Sequence, residues 1–458
     1  MYYRRTVSDA QINRELLHVV FTTPMWWIVL VGLLGLVVGA AVIAVGFMFN
    51  QGLGVTGLRQ PVFWGFFITN FVFWVGISHA GVMISAILRL SQAEWRRPMV
   101  RAAEIMTVFS LMAALTMPLV HAGRAWRIFY WIFPYDWSRG IWPDIRSPLI
   151  WDPVAIFTYL ISSSLFVYTA LIPDMAVVRD RGKGTWRYPV YAVLSLGWHG
   201  SPHQWKLQGM AGILLSALIL PVFVSVHSIV SWDFGVSLVP SWHVTVFAPY
   251  FVIGAVHSGV SAVVTLMVIM RKLYHLENYI WEEHIDALAR LLIVVATGWF
   301  FLFWLDLVFA LWTREEQELV VWNLRLFEAP WGWLFLMFLT TSYVIPVPLW
   351  LFRRVRRSFT WMLWTSLLVN VGMWTERFLI IVPGLVRKGP LVFDYGTYRP
   401  SPIEIMIVVG TLALVPFLLL LFSKFFPLIP LWEVKEGQKL IDHVQVGNVE
   451  VPALVKEH

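Results

Sequence analysis

The chain has 458 residues, of which 59% are hydrophobic and only 13% are charged. Soluble globular domains have about 45–50% apolar and about 25% charged residues, so this composition excludes most soluble classes and is typical of a chain that lies in lipid. The absence of cysteine excludes disulfides, thiolate zinc sites, cysteinyl iron–sulfur clusters and covalently attached haem within the chain. Any redox chemistry must therefore use a diffusible substrate, a non-covalent cofactor or a partner subunit.

Ten apolar segments are long enough to cross a bilayer, which takes about 20 residues of helix because every backbone polar group must be satisfied internally. Residues 1–24 carry charged side chains ahead of an apolar run that is too long for a cleaved signal, so we predict a retained cytoplasmic N-terminal segment. The sequence predicts an all-α integral membrane protein with transmembrane helices over 25–49, 63–90, 100–123, 151–173, 207–230, 243–270, 287–312, 331–352, 359–384 and 403–427.

Lysine and arginine are unevenly distributed between the two sets of connections. The termini and the even-numbered connections hold roughly twice as many of them as the odd-numbered connections, and basic residues are enriched on the cytoplasmic side of membranes. We therefore predict a multi-pass protein of the bacterial cell membrane with both termini in the cytoplasm. The net charge of +7 is explained by insertion and by lipid headgroups, and nucleic-acid binding has no independent support.

Two short sequence matches indicate an internal duplication. Residues 79–82 (HAGV) resemble residues 257–260 (HSGV), and Asp152-Pro153 corresponds to Ala329-Pro330, at offsets of 178 and 177 residues. The duplication predicts two parallel-repeat four-helix bundles, helices two to five and six to nine, with helices one and ten peripheral. The predicted units are 1–24, the first helix 25–49, the first bundle with the site 63–230, the second bundle 243–384, the tenth helix 403–427 and a cytoplasmic tail 428–458.

Polar side chains are predicted to gather at the outer ends of the helices of the first bundle. Ionisable groups are expensive inside a bilayer, so each needs a partner or a function. The cluster consists of His121 and Arg124, one turn apart at the end of helix three, Asp152, which opens helix four, His227, which closes helix five, Asp233 in the next loop, and His243, which opens helix six.

A site with imidazoles and carboxylates at the membrane surface suits a lipophilic molecule with a polar head. Quinol is the leading candidate, because its two-electron oxidation releases two protons that His and Asp side chains can accept. An ordinary interfacial belt is the alternative explanation for the tryptophans predicted to rim this site. These are Trp126, Trp131, Trp151, Trp232 and Trp242.

Histidines deeper in the membrane are candidates for a proton path. His243, Tyr250 and His257 recur every seven residues and so lie near one face of helix six. Hydrogen bonds between helices are the alternative for this row. His79 and His257 occupy equivalent positions in the two repeats, so ligation of a b-type haem by the two imidazoles is a further alternative.

Acidic residues add further candidates. Glu376 and Arg377 in helix nine and Asp306 in helix seven lie at similar depth and are assigned to a proton path or to structural ion pairs. Adjacent helical residues point about 100° apart, so we expect Glu376 and Arg377 to pair with other helices rather than with each other. Six polar residues at the inner ends are expected on a solvated rim, with the entrance of a proton half-channel as the alternative: Glu104, Asp174, Glu277, His284, Asp286 and Arg290.

Four motifs carry a resemblance to a known family. They are residues 121–124 (HAGR), 151–153 (WDP), 232–233 (WD) and 372–378 (GMWTERF). Over helices one to ten the chain resembles the NrfD/PsrC-type quinone-interacting membrane subunits of the polysulfide reductase family, and within them it is most similar to the ActC type found in bacterial alternative complex III.

The resemblance implies a quinol-oxidising subunit, with menaquinol favoured, in which His121, Asp152 and Asp233 are the catalytic and quinol-binding residues. It implies that electrons pass to an extracytoplasmic iron–sulfur subunit and then to multihaem cytochrome c subunits, beside a second NrfD-like membrane subunit, while protons are released or translocated. We expect no haem, iron–sulfur cluster or metal site in this chain. A sister proton-path subunit of the ActF type, a b-haem membrane cytochrome and a secondary transporter remain alternatives.

Overall fold

The computed structural model describes residues 7–127, 140, 145–387, 396–439, 441–446 and 449–454. Within them, ten helices are long and apolar enough to cross a membrane, which confirms the predicted number. In chain order the helices of eight or more residues are α1 (Asp9–Phe21), α2 (Met25–Gln51), α3 (Phe66–Leu90), α4 (Val100–His121), α5 (Pro148–Arg181), α6 (Arg187–Leu194), α7 (Pro202–Gly235), α8 (Phe247–Leu273), α9 (Glu282–Thr313), α10 (Glu316–Phe327), α11 (Trp331–Leu351), α12 (Phe359–Val386), α13 (Pro402–Phe422) and α14 (Leu431–Lys439). All of these except α1, α6, α10 and α14 are spanning helices.

The membrane region is therefore all-α, as predicted, but the tail also contains a small antiparallel hairpin. Its strands are β1 (Ile441–Val446) and β2 (Val449–Leu454), and the hairpin lies outside the ten spanning helices. Two spanning helices contain a wider π-helical turn, over Met83–Ile87 in α3 and over Thr340–Val344 in α11.

The N-terminal segment contains an amphipathic helix, α1, that the sequence reasoning did not predict. The Ser8 side chain accepts a hydrogen bond from the Gln11 N–H and caps the helix. Its buried side chains recur at helical spacing, which gives α1 one apolar face that packs on the rest of the protein. On the polar side, Glu15 accepts a hydrogen bond of 2.9 Å from the Tyr279 hydroxyl in the connection between α8 and α9.

Helix α2 lies at the periphery and pairs with α13. Almost its whole length is exposed, and its side chains are apolar, as expected for a helix that faces lipid. Gly410 of α13 lies directly against Ala41 of α2, and small residues at such a crossing let two backbones approach closely. On its other side α13 reaches α3, where Asn70 donates a hydrogen bond of 2.8 Å to Thr411.

The remaining eight helices form two groups. Helices α3, α4, α5 and α7 pack on one another, and so do α8, α9, α11 and α12. The groups meet where α3 crosses α8: a Cβ atom built on Gly259 would lie 2.9 Å from the backbone nitrogen and Cβ of Ala80. Residues 79–82 and 257–260 thus meet at one crossing. Such contacts suit two adjacent four-helix bundles, called here the first and second bundle; the parallel relation between the repeats remains a prediction.

A methyl group at Gly259 is expected to destabilise the protein by about 1–3 kcal/mol, because it must push α3 and α8 apart. Gly46→Ala in the lipid-facing α2, where an added Cβ meets nothing within 4 Å, is the matched control and makes the same change in helix propensity. Unfolding midpoints in detergent would measure the difference between Gly259→Ala and Gly46→Ala. Equal midpoints would contradict a tight crossing.

Among the predicted helix ends that were wrong, three bear on the site, and each has a local cause. Helix α5 begins at Pro148 rather than at 151, because proline fits the first turn of a helix, where its missing N–H is not needed. Helix α7 contains no glycine or proline between Pro221 and Gly235, so it continues past 230 and Asp233 lies in its last turn and not in a loop. Helix α8 begins at Phe247, after a bend with a left-handed φ of 64° at Ser241, so His243 precedes the helix.

The new helix start also weakens one of the two repeat matches. Asp152 and Pro153 lie inside α5, whereas Pro330 directly precedes α11. The two dipeptides therefore occupy different helical positions. The match between residues 79–82 and 257–260 is the one that relates equivalent places, since both lie within spanning helices.

The C-terminal helix α14 closes one end of the first bundle. The carboxylate of Asp174 in α5 accepts hydrogen bonds from the backbone N–H groups of Leu431 and Trp432, 3.0 and 3.3 Å away, and forms an ion pair with Arg101 of α4. A carboxylate at a helix N-terminus satisfies free N–H groups and opposes the positive end of the helix dipole. Glu104 and Asp174 are both buried, so the solvated rim expected for these two residues was wrong.

Glu433 of α14 is held by a group of arginines. Its carboxylate lies 2.6 Å from Arg89 and 2.9 Å from Arg96, and Arg97 donates a hydrogen bond to its backbone carbonyl. Burial raises the pKa of Glu433, but the surrounding guanidinium groups outweigh burial and hold this pKa below its ordinary value. The tail is therefore fixed to the bundle by buried, fully paired charges rather than by apolar packing alone.

Candidate functional site

His121 and Asp152 lie at one end of the first bundle because α4 and α5 are antiparallel. Near the start of α4, Arg101 donates a hydrogen bond of 2.9 Å to the carbonyl of Ala170, far along α5. From this contact, about 20 residues lead forward along α4 to His121 and back along α5 to Asp152. At 1.5 Å per residue each path is about 30 Å, the thickness of the hydrocarbon layer. We call this end the Asp152 end and the opposite one the Asp174 end.

Asp152 and Asp233 form the centre of the site. Their side chains are hydrogen-bonded to each other across α5 and α7. Two carboxylates have only acceptors, so this bond requires a proton on one of them. Within the described part of the chain, the Oδ1 atoms of both residues are buried without a hydrogen-bond partner. The pair therefore offers two free acceptor atoms.

His121 is the third member of the predicted site and closes α4. Its ring is partly buried, and Nδ1 has no hydrogen-bond partner among the described residues. Helix α4 ends here because Gly123 adopts a left-handed φ of 66°, a position that favours glycine at helix ends. Arg124 follows this turn and is exposed, so the expectation that it shares a helical face with His121 was wrong.

Only part of the predicted aromatic rim surrounds this end. The rings of Trp151 and Trp232 meet edge to face with centroids 6.3 Å apart, directly beside the two aspartates in sequence, and Trp126 is exposed. Trp242 is buried, stacks on Trp64 and donates a hydrogen bond to the Ile380 carbonyl, so it belongs to the core instead. Trp131 lies outside the described residues.

His227 lies deeper along α7 than Asp233 and faces His79 of α3. The two ring centroids are 4.6 Å apart, both side chains are fully buried, and neither ring nitrogen of His227 has a hydrogen-bond partner within the described chain. Six residues separate His227 from Asp233, which is about 9 Å along a helix. The structure therefore places an imidazole pair between the aspartates and the middle of the bundle.

The contacts of His79 do not suit an axial haem ligand. Its Nδ1 lies 2.7 Å from the Val75 carbonyl and its Nε2 lies 3.1 Å from the Phe223 carbonyl, so both nitrogens already face acceptors. His257 is stacked on the Trp299 indole with centroids 5.6 Å apart. An iron atom needs a free nitrogen lone pair on each imidazole. His79 and His257 as they stand do not fit a bis-imidazole haem.

A second buried polar group lies in the second bundle. Glu376 of α12 accepts hydrogen bonds from the Tyr250 hydroxyl of α8 and from the Trp299 indole of α9, the latter at 3.1 Å. The expected pairing with other helices is thus confirmed for Glu376. It also lies 3.4 Å from Arg377, so the expectation that these neighbours do not pair was wrong. Arg377 itself packs over the Phe251 ring.

His243 does not belong to the group around the aspartates. Its Nδ1 faces the Val239 carbonyl at 3.0 Å, and its Nε2 lies 3.4 Å from both Glu315 and Glu318. Burial lowers the pKa of His243, but these acceptors outweigh it and raise the pKa above its ordinary value. Asp306 of α9 is near enough to Glu318 to interact with it electrostatically. The predicted row of His243, Tyr250 and His257 is therefore interrupted at its outer member.

A comparison with protein families decides where the chain belongs. Residues 54–388 match the family described as polysulphide reductase, NrfD, and this range covers all the spanning helices of the described chain except α2 and α13. The chain belongs to the NrfD family. This confirms the resemblance found in the sequence, although the match does not distinguish the ActC type from other NrfD proteins.

Two curated NrfD-like relatives are membrane components of oxidoreductases. A putative dimethyl sulfoxide reductase membrane subunit of Halobacterium salinarum is 24% identical over 57% of this chain, and the chain covers 55% of that relative, about half its length. An Hdr-like menaquinol oxidoreductase integral membrane subunit of Archaeoglobus fulgidus is 21% identical over 87% of this chain and 93% of its own length.

The sequence reasoning placed Glu104 of this NrfD chain on a solvated rim and did not predict its buried surroundings. Glu104 of α4 is buried, both its carboxylate oxygens lack partners within the described residues, and it lines a small cavity with room for about one water molecule. Thr107 and Ser163 line the same cavity. Glu104 stands four residues inside the predicted helix three, which was a signal for burial, but the helices that line its cavity could not be foreseen.

Proposed function

We propose that this chain is the quinol-oxidising membrane subunit of a multisubunit respiratory or photosynthetic quinol oxidoreductase of the alternative complex III type, equivalent to ActC. The observation that carries the proposal is the hydrogen-bonded pair of Asp152 and Asp233, with two free buried carboxylate oxygens at one end of the bundle. Membership of the NrfD family and a relative named as a menaquinol oxidoreductase subunit support quinol as the substrate, with menaquinol favoured.

Asp152, Asp233 and His121 each accept hydrogen bonds or protons during quinol oxidation. A quinol that becomes a quinone loses two electrons and two protons. The Oδ1 atoms of the aspartates and Nδ1 of His121 accept hydrogen bonds from the two quinol hydroxyls, because these buried atoms have no other partner in the described chain. The aspartate pair holds one proton and takes up a second, His121 takes the other, and both protons leave at the Asp152 end.

The remaining parts of the complex follow from this arrangement. Both electrons leave to an iron–sulfur subunit docked at the Asp152 end, which we assign to the outer face of the bacterial cell membrane, and from there to multihaem cytochrome c subunits. The termini are then cytoplasmic, and a second NrfD-like subunit lies beside this chain. Because the sequence contains no cysteine, the iron–sulfur centres belong to the partners.

Two buried groups are assigned to proton movement. In the first bundle, His227 and His79 continue inward from Asp233. In the second bundle, Tyr250, Glu376 and Arg377 form a connected set, and the Trp299 ring joins it to His257. Such intramembrane ionisable groups mark proton relays in many membrane proteins. Their position favours translocation of protons alongside their release at the quinol site.

The alternatives are less well supported. A b-haem cytochrome needs two imidazoles with free nitrogens, and His79 has none. A secondary transporter is expected to bind its substrate at the midplane between broken helices, whereas the free acceptors here lie at one end of a bundle. An ActF-type sister subunit that lacks quinol turnover is the remaining candidate, and the two types differ in whether His121, Asp152 and Asp233 are used.

The His121→Gln variant tests the proposal. Glutamine keeps hydrogen-bonding capacity but cannot accept a proton at neutral pH, so kcat/KM for a water-soluble menaquinol analogue is expected to fall at least 10-fold in the purified complex. His199→Gln is the matched control, because His199 is exposed in the connection before α7. It should leave kcat/KM unchanged.

Absorption spectra and turnover of the same purified complex distinguish the remaining alternatives. Iron–sulfur and c-type haem spectra that co-purify with the chain support the complex, and a b-type haem bound to this chain would refute the cofactor assignment. Unchanged quinol turnover in His121→Gln would exclude His121 as a proton acceptor and favour the ActF-type alternative.

A further inference from the structure

A cluster of His243, Glu315 and Glu318 lies apart from the quinol site and is not used by the proposed function. His243 stands in the connection between α7 and α8, Glu315 directly precedes α10, and Glu318 lies in the first turn of that helix. Their nearest ligand atoms all lie within 4.8 Å of one another. Since α7 ends at the Asp152 end, this connection lies at the same surface of the protein as the aspartates.

The spacing within the cluster matches a metal coordination shell. Nε2 of His243 lies 3.4 Å from a carboxylate oxygen of Glu315 and 3.4 Å from one of Glu318. Ligand bonds to Zn²⁺ are about 2.0–2.2 Å for nitrogen and oxygen, so two ligands of a tetrahedral ion stand about 3.4 Å apart. The nitrogen already stands at that separation from one oxygen of each carboxylate, and all three ligand atoms lie within 4.8 Å of one another.

The imidazole is oriented as metal-binding histidines are. The Val239 carbonyl accepts a hydrogen bond from Nδ1 at 3.0 Å, which leaves Nε2 pointing at the two carboxylates. Bonding of one ring nitrogen to a carbonyl fixes the tautomer in which the other is free to bind a metal. In this tautomer three electron-rich atoms face one another, an arrangement that a cation stabilises.

Hydrogen bonds from neighbouring side chains hold this geometry in place. Arg325 of α10, two turns beyond Glu318, donates a hydrogen bond of 2.9 Å to the Ser241 hydroxyl in the connection that carries His243. Trp242 fixes the same connection to α12 through the Ile380 carbonyl. Glu318 is itself buried, and burial of a carboxylate without full pairing is unfavourable. The helix that supplies the carboxylates therefore also positions the histidine.

We propose that His243, Glu315 and Glu318 form a binding site for a divalent transition metal of the zinc class at the Asp152 end of the protein. One imidazole and two carboxylates suit Zn²⁺, with a water molecule as the fourth ligand. Mg²⁺ and Ca²⁺ prefer sets of oxygen ligands and are expected to bind much more weakly.

The test is Zn²⁺ binding by the purified complex, measured by isothermal titration with ZnCl₂ and by zinc X-ray absorption. We expect one site per chain, with one nitrogen and at least two oxygens in the coordination shell. His243→Gln and Glu318→Gln should each weaken this site at least 10-fold. Glu316→Gln is the matched control, because Glu316 is an exposed carboxylate of the same turn that lies outside the cluster.

Two outcomes would overturn the proposal. One is equal zinc affinity and stoichiometry in the wild type, His243→Gln and Glu318→Gln, which would place any bound zinc elsewhere. The other is a wild-type chain that binds Zn²⁺ no better than Mg²⁺. Both variants are expected to keep quinol turnover, since neither residue contacts Asp152 or Asp233, so failure of this proposal is distinguishable from failure of the quinol site.

Discussion

Replacing Asp152 by asparagine is expected to reduce quinol oxidation at least 100-fold while the complex still assembles. The asparagine side chain can donate the hydrogen bond that Asp233 accepts, so the contact between α5 and α7 is kept. It cannot take up a proton, and loss of a positioned proton acceptor lowers rates by about 10²–10⁴-fold. Steady-state turnover of a menaquinol analogue by the purified complex measures the effect.

The control for this variant lies on the same helix. Asp180→Asn changes an exposed carboxylate near the other end of α5, which pairs only with its neighbour Arg179 among the described residues, and should leave turnover unchanged. The polypeptide composition of the complex and the unfolding midpoint should be the same for Asp152→Asn and the wild type. Full turnover in an assembled Asp152→Asn complex would remove the aspartate pair from the mechanism.

An Asp174→Ala variant is expected to lose about 3–5 kcal/mol of stability and to release α14 from the bundle. The substitution leaves the buried guanidinium of Arg101 without its carboxylate, and an uncompensated buried charge is strongly destabilising. It also removes the acceptor for the first backbone N–H groups of α14. Thermal unfolding in detergent and limited proteolysis of the tail would show the two effects.

A double variant distinguishes the contribution of the ion pair to stability from the contribution of packing. Arg101→Met combined with Asp174→Leu replaces the ion pair by apolar side chains of similar size and should recover part of the lost stability. The tail should remain sensitive to protease in this variant, because leucine cannot accept the N–H groups of Leu431 and Trp432. A protected tail in Asp174→Ala would mean that the arginines around Glu433 suffice to hold it.

The sequence predicted those parts of the structure that one physical rule determines. Long apolar runs predicted all ten spanning helices, since lipid allows hardly any other backbone structure. Asp152 opens a predicted spanning helix and Asp233 follows the end of the next one, and the structure brings the two side chains into direct contact. Their partnership could be expected from topology, because the start of one helix and the end of the next spanning helix share a membrane surface.

Most of the errors arose where tertiary contacts override local signals. Gly123 is a local signal for the end of α4 that the prediction of Arg124 beside His121 did not use, whereas no local signal shows that Trp242 is buried against Trp64. The burial of Asp174 depends on α14, which follows it by more than 250 residues and has little hydrophobicity of its own. Helix periodicity grouped His243 with Tyr250, but helix α8 begins only after the histidine.

The close approach of Gly259 to Ala80 has a consequence for how this protein could have evolved and how it can be divided. The two bundles touch through backbone atoms rather than through a layer of large side chains. Either half alone would present a row of small residues to lipid at this crossing instead of large apolar side chains. Bundles joined this way are not expected to separate into independent subunits, and a substitution on one side of the crossing is expected to need a compensating change on the other.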